Sequence, residues 1–363
     1  MHPPTPQPSL EVVAAAKSSS GRANAHKAAA AAAGKAVQSE GGGQSPSPAA
    51  TDAPQLLYAA AAAPGHTLPD HVEQPARVDV ILQKLKAAGI TTSAFEGQLR
   101  QVPAAQLAPL EDVRRVHSYV DELRRVAAEE APKAVADIGD PDGVTYVTQT
   151  SFDDALRAAG AATALVDAVV SASRGGGPGT AAFCITRPPG HHATADTPLG
   201  YCLFNNVALA ARHAQRRHGL AKVGGQGGAA GLRHAGEACV LAVFDSLIAP
   251  AARRFRPDII LVSAGFDAHW RDPFQQLQFR SSTYHKLAVR LRQLAAALCG
   301  GRLVFLLEGG YHTEAVGESV CEVFLALLGR RSVEGQAALE LPHEEPVGEV
   351  GELVAQLRGI HGL

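Results

Sequence analysis

The chain has 363 residues, 46% of them hydrophobic, with 33 Lys and Arg against 35 Asp and Glu for a net charge of −2. That is enough chain and apolar material for one large α/β domain or two small ones. The balanced charge, without a basic stripe, excludes phosphate-driven nucleic-acid binding, so any contact with chromatin would run through a protein tail.

In chain order, residues 1–54 are rich in Ala, Ser, Gly and Pro and form a low-complexity leader that cannot offset its ordering entropy. Lys17, Arg22, Lys27 and Lys35 against Glu11 and Glu40 make it basic and acid-poor, as in a chloroplast or mitochondrial transit peptide. A plain low-complexity tail on a cytoplasmic or nuclear protein fits the same composition. Periodic structure begins near Leu56. The spacing predicts a helix over 75–88, with Val78, Ile81, Leu82 and Leu85 on one face, and another over 152–173, with Leu156, Ala159, Leu165 and Val169 facing inward. Residues 181–186 form a nearly continuous apolar run, as in a buried parallel strand. Then come a helix at 204–218, strands at 258–263 and 303–307, helices at 283–299 and 314–328, and a last helix near 346–358. Alternating strands and helices predict an α/β fold: an open, mainly parallel sheet with helices on both faces over 55–330, followed by a helical extension over 331–363. The five scattered cysteines, Cys184, Cys202, Cys239, Cys299 and Cys321, read as free thiols in a reducing compartment. No apolar run is read as long enough to span a bilayer, so no membrane partner is expected.

In such a sheet, ligands bind beyond the carboxyl ends of the strands. Strand 181–186 leads into His191 and His192, strand 258–263 into Asp267 and His269, and strand 303–307 into Glu308-Gly309-Gly310-Tyr311. One rim therefore gathers two imidazoles, a carboxylate and a phenol. Amide hydrolysis needs those groups: imidazoles to move protons, a phenol to donate to a developing oxyanion, and a carboxylate to help hold a metal that activates water. His269 and His312 read as ordinary surface histidines, and Cys184 and Cys202 as packed core thiols.

Arg187-Pro188-Pro189-Gly190-His191-His192-Ala193, Gly200-Tyr201-Cys202-Leu203-Phe204-Asn205-Asn206, Ser263 to Asp267 and Glu308 to Tyr311 resemble, in order, the motifs of the zinc-dependent histone deacetylase family, class II-like and similar to plant organellar members. Gly65-His66, His71, Glu73, Pro75 and Arg77 resemble its amino-terminal pattern, with Val72 where a proline would stand. The resemblance implies the arginase/deacetylase-like fold and a chromatin-regulating hydrolase of Nε-acetyl-lysine amides. His191 and His192 would be the proton-transfer pair, Asp267 a Zn2+ ligand and Tyr311 the oxyanion donor. Tyr201, Gly200, Gly309 and Gly310 would line the substrate tube. The partner would be an acetylated protein or a small acetylated amine.

The chain departs from the pattern near 224–242. Where the family carries an Asp-x-Asp-x-His-His motif that supplies two further zinc ligands, this chain reads Gly224-Gly225-Gln226-Gly227-Gly228-Ala229-Ala230-Gly231-Leu232. Asp267 alone is a poor zinc site, since such sites use three protein ligands plus water. The nearby His234, Glu237 and Cys239 could substitute only if folding placed them together. A shortened splice form or an incomplete gene product is implied, lacking part of the expected sheet, with a central strand missing and a less stable domain. Three functions stay open: an impaired zinc deacetylase, a catalytically inactive relative that binds partners, and a different metal hydrolase on the arginase-like fold.

Overall fold

The computed structural model describes residues 55–129, 133–134, 140, 143–174, 179–226, 233–274, 276–334 and 341–363. The leader 1–54 and the transit-peptide expectation lie outside them. The elements run β1 (Gln55–Ala61), α1 (Ala76–Ala87), β2 (Leu99–Gln101), α2 (Leu110–Arg114), α3 (Val120–Ala127), β3 (Lys133–Ala134), β4 (Tyr146–Val147), α4 (Ser151–Arg174), β5 (Thr180–Thr186), α5 (Asn206–His218), β6 (Val223–Gln226) and α6 (Glu237–Val243). A π-helical turn, Phe244–Ile248, then leads to α7 (Ala249–Phe255), β7 (Ile259–Ala264), α8 (Ser281–Cys299), β8 (Leu303–Leu307), α9 (Thr313–Leu327) and α10 (Val347–His361).

Among the described residues the main sheet has six strands in the order β2-β1-β5-β8-β7-β6, all parallel. Successive side chains of a strand face opposite sides, and here both sides are apolar. Phe183, Ile185, Ile260, Val262, Leu303 and Phe305 point to one layer with Val78, Ile81, Leu291 and Val320 from α1, α8 and α9. Ala182, Cys184, Ile259, Leu261, Val304 and Leu306 point to the other, against Leu165, Val169, Val207 and Ala210 from α4 and α5.

The predicted helix bounds hold to within a few residues, and the differences have local causes. The α5 helix begins at 206 because the Asn205 side chain accepts from the Ala208 N–H at 2.9 Å, and it stops at a left-handed Gly219. The membrane reading needs correction: residues 151–173 of α4 are long and apolar enough, by length and composition, to cross a bilayer. In the fold this helix is mostly buried against the sheet and α5, as a core helix is.

The expected gap in the sheet's centre is also corrected. Residues 223–226, at the start of the departure, form β6, which pairs in register with β7 from Val223↔Ile259 to Gln226↔Val262. The sheet is continuous, and the departure falls at its edge. A four-residue strand with two glycines gives too weak a periodic signal to be read from sequence. The chain jumps from β5 through α5 to that edge, then returns inward through β7 to β8. The order therefore reverses between β5 and β8, and the crevice that such a reversal makes in an open parallel sheet falls at their carboxyl ends.

Candidate active site

The crevice is built on a fully buried ionic frame. Arg187, just past β5, donates from Nε and Nη2 to the Glu73 carboxylate at 2.5 and 2.6 Å and from Nη1 to the Ala62 carbonyl at 2.7 Å. Arg77 on α1 donates to the same carboxylate at 2.9 Å and to the Gly310 carbonyl at 2.6 Å. Burial alone would raise the Glu73 carboxyl, but the charges and hydrogen bonds of Arg187 and Arg77 outweigh it and hold it at about 2. This frame fixes the loops after β5 and β8 relative to α1.

Within it, Glu308 at the end of β8 accepts from the backbone N–H of Gly190 at 2.7 Å and of His191 at 3.1 Å, and sits 2.9 Å from His191 Nδ1. Burial pulls the His191 imidazole down, but the Glu308 carboxylate overrides it and holds His191 well above the usual histidine range. The His192 ring lies 3.8 Å from that of His191, centroid to centroid. Burial, then the charge on His191, depress it to about 4. The environments push the two adjacent imidazoles in opposite directions, His191 up beside Glu308 and His192 down, as suits one ring that holds a proton and one that accepts it.

Asp267 and Tyr311 face the same crevice. The loop after β7 is stitched to the loop after β8 by Phe266 N–H donating to the Gly309 carbonyl at 3.0 Å. Burial and the neighbouring Asp272 carboxylate raise Asp267 to about 6, while the charge on His191 opposes the rise. A Cβ at Gly309 would sit 2.8 Å from an Asp267 carboxylate oxygen and push that side chain aside, and Gly310 takes a φ of +111° that favours glycine. The Tyr311 backbone N–H donates to Asp272 at 2.7 Å. Its ring is met edge-on by Tyr201 (5.7 Å between centroids) and Phe274 (5.2 Å), with the Arg77 guanidinium 5.1 Å from its centroid. Tyr201 also meets His71 edge-on at 4.7 Å, and Gly200 packs against the His192 ring.

The fold therefore brings together the residues singled out in the sequence: His191, His192, Asp267, Tyr311, Tyr201, Gly200, Gly309 and Gly310. Three participants were not foreseen. Glu308 pairs with His191, Asp272 anchors the Tyr311 backbone, and Cys202 lies fully buried within reach of His191. The only sequence signal for Glu308 was its place immediately after a strand and before a glycine pair. His269 is corrected from a surface residue: it is buried, accepts from the Arg271 N–H at 3.1 Å, and is depressed to about 3 by burial and by Arg271. His312 caps α9 by accepting from the Ala315 N–H. All five cysteines are free and buried.

A catalytic zinc requires three protein ligands and an open position. Among the described residues, two groups of three donors lie close enough to share an ion, His191/Cys202/Glu308 and Asp167/His213/His218, and neither contains Asp267. The first is fully buried, and its carboxylate is already engaged by two backbone N–H groups and an imidazole. Residues 227–232 carry no donor side chain. His234, Glu237 and Cys239 do not converge: the His234 ring packs on His343 at 3.8 Å, Glu237 pairs with Lys286, and Cys239 is buried beneath α10. The donor set described around Asp267 does not fit a catalytic zinc.

The histone deacetylase domain family matches residues 71–224 and 231–327, so the match is interrupted where the sequence departs from the pattern. The chain is similar to histone deacetylase 10, chloroplastic, of Oryza sativa subsp. japonica (36% identity, covering 85% of this chain and 81% of that protein). It is similar to histone deacetylase 14, chloroplastic, of Arabidopsis thaliana (36%, 85% of each). It is also similar to the polyamine deacetylase HDAC10 of Homo sapiens (31%, 71% of this chain and 45% of that one). The crystal structure of the HDA15 HD domain shares the fold, with a TM-score of 0.67 at 22% identity over 84% of this chain and 95% of that one.

Proposed function

Because the chain belongs to the histone deacetylase family, whose members are hydrolases and generally zinc-dependent, we propose that it is a deacetylase-type domain directed at Nε-acetyl-lysine in proteins or at a small acetylated amine, impaired in turnover in this form. The observation that carries this reading is that His191, His192, Tyr311 and Tyr201 gather with Asp267 at one rim while, among the described residues, Asp267 belongs to no group of three donors. The rim supports recognition: Tyr201 and Tyr311 offer apolar walls for an extended acyl-lysine side chain, and His192 and the Tyr311 hydroxyl offer partners for its amide. The polyamine deacetylase among the relatives supports a small acetylated amine as the alternative substrate.

The test is hydrolysis of an acetyl-lysine peptide alongside its binding by fluorescence anisotropy. Binding that weakens in Tyr201→Ala, with turnover at background, is expected. Turnover that needs stoichiometric zinc and disappears in Asp267→Ala would overturn the reading. We further propose that residues 1–54 direct the protein to an organelle, which the basic, acid-poor leader and the chloroplastic names of two relatives support. A fusion of 1–54 to a fluorescent protein that stays in the cytosol would refute it.

A further inference from the structure

On the face of the sheet opposite α1, α8 and α9, α4 and α5 pack side by side, and three donor side chains meet at the end of their contact. His213 and His218 come from the last two turns of α5, and Asp167 from α4. Both His Nε2 atoms lie 2.6 Å from the same oxygen, Asp167 Oδ1. The three donor atoms fall within 4.8 Å of one another, and the two ring centroids are 5.8 Å apart at 73°. The histidine side chains are 16% and 11% exposed and the aspartate 51%, so the rings are held by packing while the carboxylate side chain is half open to solvent. The cluster borders a cleft of about 820 Å³ lined by Asp167, His213, Arg216 and Gly219, among others, which gives an ion a route in.

The geometry points to a divalent transition-metal site of the zinc class at Asp167, His213 and His218, distinct from the catalytic rim. Two imidazoles aimed at one carboxylate oxygen present the mixed nitrogen and oxygen donors that zinc-class ions prefer. An ion seated between them would replace the two N–H···O hydrogen bonds with bonds from the Nε2 lone pairs. Water would fill the remaining positions. The surrounding charge works against a cation: Arg115, Arg212, Arg216 and Arg217 line the cleft beside Glu111 and Asp112, with Arg115 and Arg216 both paired to Asp112. Selectivity would therefore come from the imidazoles, which favours zinc-class ions over calcium or magnesium. The ion would clip the last turn of α5 to α4, immediately before the short edge strand β6.

The experiment uses the untagged full chain, stripped with a chelator and desalted, then titrated with zinc chloride by calorimetry, with metal analysis after gel filtration. The expected result is stoichiometric zinc in the wild type and in Asp267→Ala, and its loss in His213→Ala/His218→Ala with helical circular dichroism retained. If the double variant fails to fold, His218→Gln, at the solvent-facing end of α5, serves in its place. A wild type that binds no zinc, or a variant that binds it as tightly as the wild type, overturns the site. Zinc that is lost in Asp267→Ala but kept in the histidine variant overturns both this site and the impaired reading of the catalytic rim.

Discussion

The rim formed by β5, β8 and β7 and the flank running from β6 through α6 to α10 both close one side of the same sheet, and they do so by opposite means. The rim is over-determined. The loops after β5 and β8 are held by several buried, charge-assisted hydrogen bonds through Glu73, Arg77, Arg187 and Glu308, and the loop after β7 is tied to them by the Phe266 N–H on the Gly309 carbonyl. The flank is assembled from small contacts with the carboxyl-terminal extension. Ala235 and Cys239 pack on Val350 and Val354 of α10, and the Glu345 carboxylate accepts from the N–H groups of Gly236 and Cys239 at the start of α6. The Gln278 amide joins the two ends by donating to the carbonyls of His234 and His343. The comparison teaches that a fold can keep its buried ionic frame where the family pattern is interrupted at an edge, provided that edge carries none of the frame's ion pairs.

The largest effect should come from breaking the frame. Glu73→Ala leaves two buried guanidiniums without their carboxylate and should destabilise by about 3–5 kcal/mol in denaturant unfolding. A loss under ~1 kcal/mol would mean that the frame is not what holds the rim. The pH dependence follows from the same group. Its folded value of about 2 lies below the unfolded 4.5, so its contribution is complete above pH 4.5 and is lost as pH falls towards 2. Glu73→Gln should flatten the acid limb of the wild-type stability curve between those values, and an unchanged limb would assign acid unfolding to other carboxylates.

Next comes Asp267→Asn. Asp267 lies beside Asp272 and is raised to about 6 by burial and that neighbour, so near pH 7.5 a carboxylate is held there at a cost. Neutralising it should stabilise the metal-free protein by ~1–2 kcal/mol. Destabilisation in the presence of zinc would show instead that a cation sits on Asp267. On the flank the effects should be smaller. Glu345→Ala should cost about 1 kcal/mol, as a lost amino-terminal helix cap does, and Val354→Ala about 1–2 kcal/mol. Both should speed hydrogen exchange in α6 more than in β5 or β8. Equal acceleration in both regions would erase the contrast between rim and flank.

Much of this was legible beforehand for a physical reason. Strands β5, β7 and β8 are buried on both faces, α5 and α8 bury apolar stripes at helical spacing, and α9 is buried over nearly its whole length. Uninterrupted apolar runs and helical spacing therefore announced them, and the residues that follow each strand marked the rim. β6 was illegible because a short, glycine-bearing edge strand takes its conformation from hydrogen bonds to β7 rather than from its own side chains. The partnership of His191 with Glu308, 117 positions apart, could not be read either, because no local pattern encodes which strand ends meet.

The sequence by itself determined the class of fold, the identity of the chemical groups and where the family pattern is interrupted, since these depend on residue type and near-neighbour spacing. Only the tertiary structure decided that the sheet stays continuous, that Glu308 pulls His191 up while burial and His191 push His192 down, and that Asp267 shares no three-donor group among the described residues. Those outcomes rest on distances between groups far apart in the chain, and burial lets charges that meet across such distances set one another's state.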